Sequence, residues 1–112
     1  MTILLSALLA LSTLAQAEPL TEEQLAGQAT YTANCMACHG TDGDGQGPAA
    51  IALNPAPKSF TEPTFWEGKD NDALKTTIKA GKPGTAMSGF TQLSDSDVAN
   101  LIAYLETFKP PS

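Results

Sequence analysis

The run Cys35-Met36-Ala37-Cys38-His39 contains both cysteines and the single histidine of the 112-residue chain, so metal or thiol chemistry here depends on five consecutive residues. A four-ligand zinc site would have to borrow carboxylates, and a triad-type nucleophilic site would have only this one imidazole. A thioredoxin-like redox pair needs a βαβ setting that the neighbouring residues do not offer. A short-loop disulfide in an exported chain remains chemically open, but it leaves His39 and the long loops on either side without a purpose.

The spacing C-x-x-C-H is the attachment signature of c-type haem. Two thiols separated by two residues can each add to one of the two vinyl groups on one porphyrin edge. The adjacent imidazole is then delivered to the iron, so one short segment fixes the cofactor and supplies an axial ligand. The expected cofactor is therefore one haem c, attached through Cys35 and Cys38 with His39 on the iron.

The flanking sequence fits a chain built around such a group. On the N-terminal side, Thr21-Glu22-Glu23-Gln24 forms a capping box ahead of Leu25, Gly27, Ala29, Tyr31 and Ala33, which predicts a helix from about Thr21 to Cys35. On the C-terminal side, Gly40, Gly43, Gly45, Gly47, Pro48, Pro55, Pro57 and Pro63 break any periodicity. Residues 40–69 read mostly as loop, with a turn of helix at Pro48 to Leu53. A short helix follows, capped by Asp70 or Asn71, carrying Ala73, Leu74, Ile78 and Ala80 and ending at Gly81. After a loop over residues 82–93, Ser94 caps a last helix whose stripe is Val98, Leu101, Ile102, Leu105 and Phe108, stopped by Lys109 and Pro110. No strand alternation or internal repeat appears. A loop segment of about 30 residues is rare in a compact domain unless it wraps something.

A haem that only moves electrons needs a second axial ligand, and no other imidazole exists. Met1 lies in the leader, and Met36 lies within the attachment loop, where it cannot reach the opposite face of the ring. Met87 remains, in Gly84-Thr85-Ala86-Met87-Ser88-Gly89-Phe90, where flanking glycines allow close approach to the haem. The competing reading of Met87 is a gap-filling core methionine. A His/Met pair gives a high reduction potential, because the neutral thioether favours the ferrous state.

Together these residues resemble the class I c-type cytochromes over essentially all of residues 18–112. Gly27, Tyr31 and Cys35 repeat that family's small residue, aromatic and first cysteine at four-residue steps, and Leu101-Ile102-Ala103-Tyr104-Leu105 is similar to its last helix. The resemblance implies an all-α cytochrome c fold, about three main helices with long loops wrapped around one covalently bound haem. It also implies that the terminal helices cross at Gly27, against the Leu101 and Tyr104 face. By the same resemblance, the carbonyl of Pro48 accepts a hydrogen bond from Nδ1 of His39. Trp66 matches an aromatic that donates to a haem propionate in several bacterial members, the alternative being a plain packing role. Ser88 follows Met87 where many members have proline, which puts the firmness of the iron–sulfur bond in question.

Residues 1–17, MTILLSALLALSTLAQA, hold no charged side chain and end in Ala15-Gln16-Ala17, which reads as a secretory signal cleaved after Ala17. The apolar stretch is shorter than the roughly 20 residues a membrane span needs. The expected product is residues 18–112, one periplasmic cytochrome domain, monomeric and without a membrane anchor. Its net charge of −6, with no arginine, excludes a nucleic-acid footprint. Asp42-Gly43-Asp44-Gly45 resembles the start of a calcium loop, but Leu53 stands where the bidentate Glu is required.

The expected function is a soluble carrier of single electrons between redox proteins that dock transiently at an exposed haem edge, and not an enzyme. A peroxidase would need a distal histidine or arginine that the chain lacks. Two rivals are a haem module that binds or senses a small ligand in place of Met87, and an electron-input subunit of a larger oxidoreductase. Residues 18–57 carry five acids and no lysine, whereas residues 58–112 carry seven acids and six lysines. That asymmetry either steers docking or merely solvates the surface.

Overall fold

The computed structural model describes residues 19–111. The signal-peptide reading of residues 1–17 lies outside the described residues. Among the described residues there are five α-helices: α1 (Glu22–Asn34), α2 (Met36–His39), α3 (Pro63–Trp66), α4 (Asn71–Ala80) and α5 (Asp95–Leu105). Three are the long helices expected from the sequence, and α2 and α3 are single turns. Short 3-10 segments cover Ala50–Ala52, inside the turn expected at 48–53, and Glu106–Phe108, where the last helix tightens before Lys109. Among the described residues the β-structure is confined to one isolated bridge, between Gly81 and Ser88.

The long helices begin where side chains can satisfy their orphan N–H groups. Thr21 Oγ1 accepts from the backbone N–H of Gln24 at 3.1 Å, and Gln24 Oε1 accepts from Thr21 N–H at 3.0 Å. Asp70 Oδ1 accepts from Ala73 N–H at 2.8 Å at the head of α4. Ser94 and Asp97 repeat the reciprocal box at the head of α5, each bond 3.0 Å. Ser94→Ala should therefore lower unfolding stability by about 1 kcal/mol, read from the urea midpoint. An unchanged midpoint would mean that the box does not hold this end of the helix.

The core is where α1 and α5 cross and α4 leans on α5. Tyr31, Leu74, Ile78, Val98, Leu101, Ile102, Tyr104 and Leu105 are buried there, joined by Phe60 from the long loop. Leu25 and Ala33 stay on the outer face of α1, and Ala73 and Ala80 on that of α4. The crossing is at Gly27, as the resemblance implied. A Cβ at Gly27 would sit 2.6 Å from the carbonyl carbon of Asn100 and 2.9 Å from Cβ of Tyr104. The nearest backbone is thus that of Asn100, one residue before Leu101, because α5 presents its main chain rather than a side chain to the glycine.

One turn beyond the crossing, buried Tyr31 donates its hydroxyl to the carbonyl of Gly40 at 2.5 Å. Its ring packs 5.3 Å from that of Tyr104 and 5.5 Å from that of Phe108. This bond ties α1 to the residue that ends α2, so the helix crossing positions the Cys35–His39 turn. The Asp42–Asp44 loop is likewise structural. Asp44 Oδ1 accepts from Gln46 N–H at 3.0 Å, and the carbonyl of Gly43 accepts from Phe60 N–H at 2.6 Å.

Candidate functional site

Cys35 caps the end of α1, and α2 carries the remaining four residues of the motif in one turn. Cys35, Cys38, His39 and Met87 all line one cavity of about 380 Å³, although 48 residues separate His39 from Met87 in the chain. The two loops that lacked a regular partner supply the walls. Leu53, Pro55, Ala56, Pro57 and Lys58 come from the first, and Lys82, Thr85, Ala86, Ser88 and Phe90 from the second. A smaller cavity of about 100 Å³ adjoins it, sharing Cys35, His39, Lys58, Lys82, Met87 and Phe90 and reaching the core residues Phe60, Leu74, Ile78, Leu101 and Leu105.

Local bonding fixes the protonation of the histidine. Nδ1 of His39 lies 3.0 Å from the carbonyl oxygen of Lys58. A carbonyl can only accept, so Nδ1 carries the proton and Nε2 keeps a free lone pair for a metal. Burial lowers the imidazole's pKa, with the Lys58 bond opposing. The ring stacks on Phe60 at a centroid distance of 4.6 Å. The cysteines are free thiols, and burial followed by the Cys38 thiol pushes Cys35 up to about 11.

On the facing wall, the loop that carries Met87 is pinned back to α4. Lys82 N–H donates to the carbonyl of Met87 at 3.0 Å, Met87 N–H to Thr85 Oγ1 at 3.1 Å, and Phe90 N–H to the carbonyl of Ile78 at 2.9 Å. Of the two glycines that flank Met87, Gly89 packs back on the end of α4 at Gly81, whereas a Cβ at Gly84 would meet nothing within 4 Å. A Cβ at Gly89 would lie 2.8 Å from the carbonyl carbon of Ala80, and one at Gly81 would lie 2.7 Å from the nitrogen of Gly89. Their missing side chains let the two strands of the loop close on each other.

The cytochrome c family model matches residues 24–109. The chain belongs to the cytochrome c family. It is 34% identical over 87 residues to cytochrome c-554(547) of Halothiobacillus neapolitanus, covering 75% of this chain and 94% of that one. Its fold is similar to that of a chain in the reducing HAO-like protein complex of Kuenenia stuttgartiensis, with a TM-score of 0.66 and 26% identity. That match covers 84% of the present chain and 48% of the other, so the present chain spans about half of its structural relative.

As a member of the cytochrome c family the chain holds haem c, covalently bound at the C-x-x-C-H motif of Cys35, Cys38 and His39. The residues present fit this group: two free thiols one helical turn apart, a neutral imidazole and a thioether border one cavity with largely apolar walls. Zinc is not supported, since among the described residues no three His, Cys, Asp or Glu side chains gather as a metal site.

One expectation drawn from the cytochrome resemblance is corrected. The acceptor for His39 Nδ1 is the carbonyl of Lys58, not that of Pro48. The segment around exposed Pro48 instead runs along the backbone of the attachment turn. Gly47 N–H donates to the carbonyl of Cys38 at 3.1 Å and Ala49 N–H to that of Ala37 at 2.9 Å. Trp66 gives its one donor, Nε1–H, to the carbonyl of Phe60 at 2.8 Å and lines neither cavity, an arrangement that matches the packing alternative. Its ring lies edge-on to Phe65 at 5.1 Å.

Lys58 and Phe60 were not singled out from the sequence. Phe60 had a readable signal, as a large aromatic alone in a Gly- and Pro-rich stretch, where only insertion into a core justifies it. Lys58 had none, because it acts on His39 through its backbone carbonyl.

Proposed function

We propose that this cytochrome is an exported carrier of single electrons in which His39 and Met87 are the two axial ligands. The observation that carries the reading is the convergence of Cys35, Cys38, His39 and Met87 on one cavity. Bound haem supplies a one-electron couple at its iron. The protein's own residues hold the ring by two thioethers, offer the Nε2 lone pair of a His39 oriented by Lys58, and present the Met87 thioether from a loop clamped to α4. The apolar lining excludes water and favours the reduced, less charged centre.

Among the described residues no helix is long and apolar enough to cross a membrane. The leader-like residues 1–17 support export to the periplasm, where partners would dock at the haem edge. A visible spectrum of the purified holoprotein tests the ligation. The ferric form should show the weak red charge-transfer band of a methionine-ligated haem, and the reduced form should resist carbon monoxide. Absence of the band together with rapid carbon monoxide uptake would refute the reading and favour a ligand-binding module. The Kuenenia relative sits in a complex, which favours an electron-input subunit as the second reading. A stable larger species on gel filtration of native extract would select it.

A further inference from the structure

Three of the six lysines of this acidic chain gather at the haem site. Lys58 and Lys82 line both adjoining cavities and Lys69 lines the smaller one, while no described Asp or Glu lines either. Among the described residues the one lysine–carboxylate ion pair is Lys79 with Asp95, so none of the three has a carboxylate counter-ion. With twelve acids in the chain, a cationic cluster free of acids is contrary to composition. Like charges gathered at one cavity mouth repel, weakly because all three lysines are exposed to solvent, and an anion seated among them relieves that repulsion.

The lysines are also built into the ligand framework. The carbonyl of Lys58 receives the His39 Nδ1–H at 3.0 Å, and the N–H of Lys82 donates to the carbonyl of Met87 at 3.0 Å. One lysine is thereby fixed to each candidate axial residue. Lys69 is held at the smaller cavity by a bond from Nζ to the carbonyl of Phe65 at 2.5 Å, with the ammonium 4.1 Å from the centroid of the Phe65 ring. Burial, and next the charges of Lys82 and Lys58, hold the Lys69 ammonium below the usual lysine range, in keeping with three cations sharing one region.

Haem c brings two propionate carboxylates, four acceptor oxygens in all. We propose that Lys58, Lys69 and Lys82 form the carboxylate-binding rim of the haem site and neutralise the two propionates. This gives the propionates the charged partners that Trp66, engaged with Phe60, does not provide. An acidic docking partner is the rival anion. The propionates are favoured because two of the three lysines are hydrogen-bonded through their backbone to the residues that flank the iron.

The test uses the holoprotein and the single variants Lys58→Gln, Lys69→Gln and Lys82→Gln, with exposed Lys75→Gln on α4 as a control of equal charge change. The readouts are the propionate-bending band in the resonance Raman spectrum and the reduction potential. The band should shift in the rim variants and stay fixed in Lys75→Gln. The potential should fall further in the rim variants than in the control, because a lost cation destabilises the electron-rich ferrous state. Lys82→Arg should return the potential towards wild type. A propionate band unmoved in all three rim variants would overturn the proposal, and the lysines would then serve docking instead. Visible spectra matching wild type would establish that each variant has folded around its haem.

Discussion

Met87→Ala is expected to abolish the red charge-transfer band of the ferric protein and to make the reduced protein bind carbon monoxide. The expected fall in reduction potential is on the order of a tenth of a volt, within the roughly 0.8 V that axial ligands command. The substitution tests the sulfur with little else disturbed. The bonds that hold residue 87, from Lys82 N–H to its carbonyl and from its own N–H to Thr85 Oγ1, are made by its backbone and survive truncation. Among the described residues no second methionine can substitute, because Met36 packs against the hydrophobic core and lines neither cavity. A Met87→Ala protein that kept the band and ignored carbon monoxide would mean that another group ligates the iron.

The residues that converge on the cavity were readable before any coordinates because the chain is poor in candidates. One histidine and one unassigned methionine leave elimination little choice, and the cavity joins both to the cysteine pair. The helix starts were equally readable, since Thr21, Asp70 and Ser94 act through side chains at fixed offsets from their partners. What escaped the sequence acts through the main chain or depends on where a loop turns. The carbonyl of Lys58 carries no residue signature, and any side chain at position 58 would leave the same acceptor. Pattern alone leaves Trp66 either a propionate donor or a packing aromatic, and the one-turn helix Pro63–Trp66 brings its indole to the carbonyl of Phe60. A family pattern fixes which residue type stands at a position, and the local path of the loop then decides which acceptor that residue meets.

The acidic half of the chain shows the same limit in its charges. Glu22, Glu23, Asp42 and Asp44 line neither cavity, whereas Lys58, Lys69 and Lys82 do. A summed charge of −6 thus says little about the potential at the haem. Cations that line the cavity act at shorter range than distant surface acids, whose influence is screened over roughly 8–10 Å of saline. The potential at the haem therefore depends on the lysine-bearing rim more than on the acidic N-terminal segment.

Gly27→Ala sets two effects of opposite sign against each other, so the sign of the result decides between them. In an isolated helix the change would stabilise by about 1 kcal/mol through propensity. In this structure the new methyl meets the carbonyl carbon of Asn100 at 2.6 Å and Cβ of Tyr104 at 2.9 Å, and neither is the yielding tip of a flexible side chain. Helices α1 and α5 would have to separate, and overpacking of that kind costs about 1–3 kcal/mol or more. With backbone as the obstacle we expect the upper end of that range, leaving a net loss of about 2 kcal/mol in the urea unfolding of the holoprotein. Exposed Ala33→Gly on the same helix isolates the propensity effect, and should cost about 1 kcal/mol. The consequence extends beyond stability, because Tyr31, one turn past the crossing, ties α1 to the carbonyl of Gly40 at the end of the attachment turn. A shift of α1 away from α5 would move Cys35 relative to Met87, so the Gly27→Ala protein should also show a weakened red band. A Gly27→Ala protein more stable than wild type, with its spectrum unchanged, would mean that the crossing accommodates a methyl group and does not set the position of the haem.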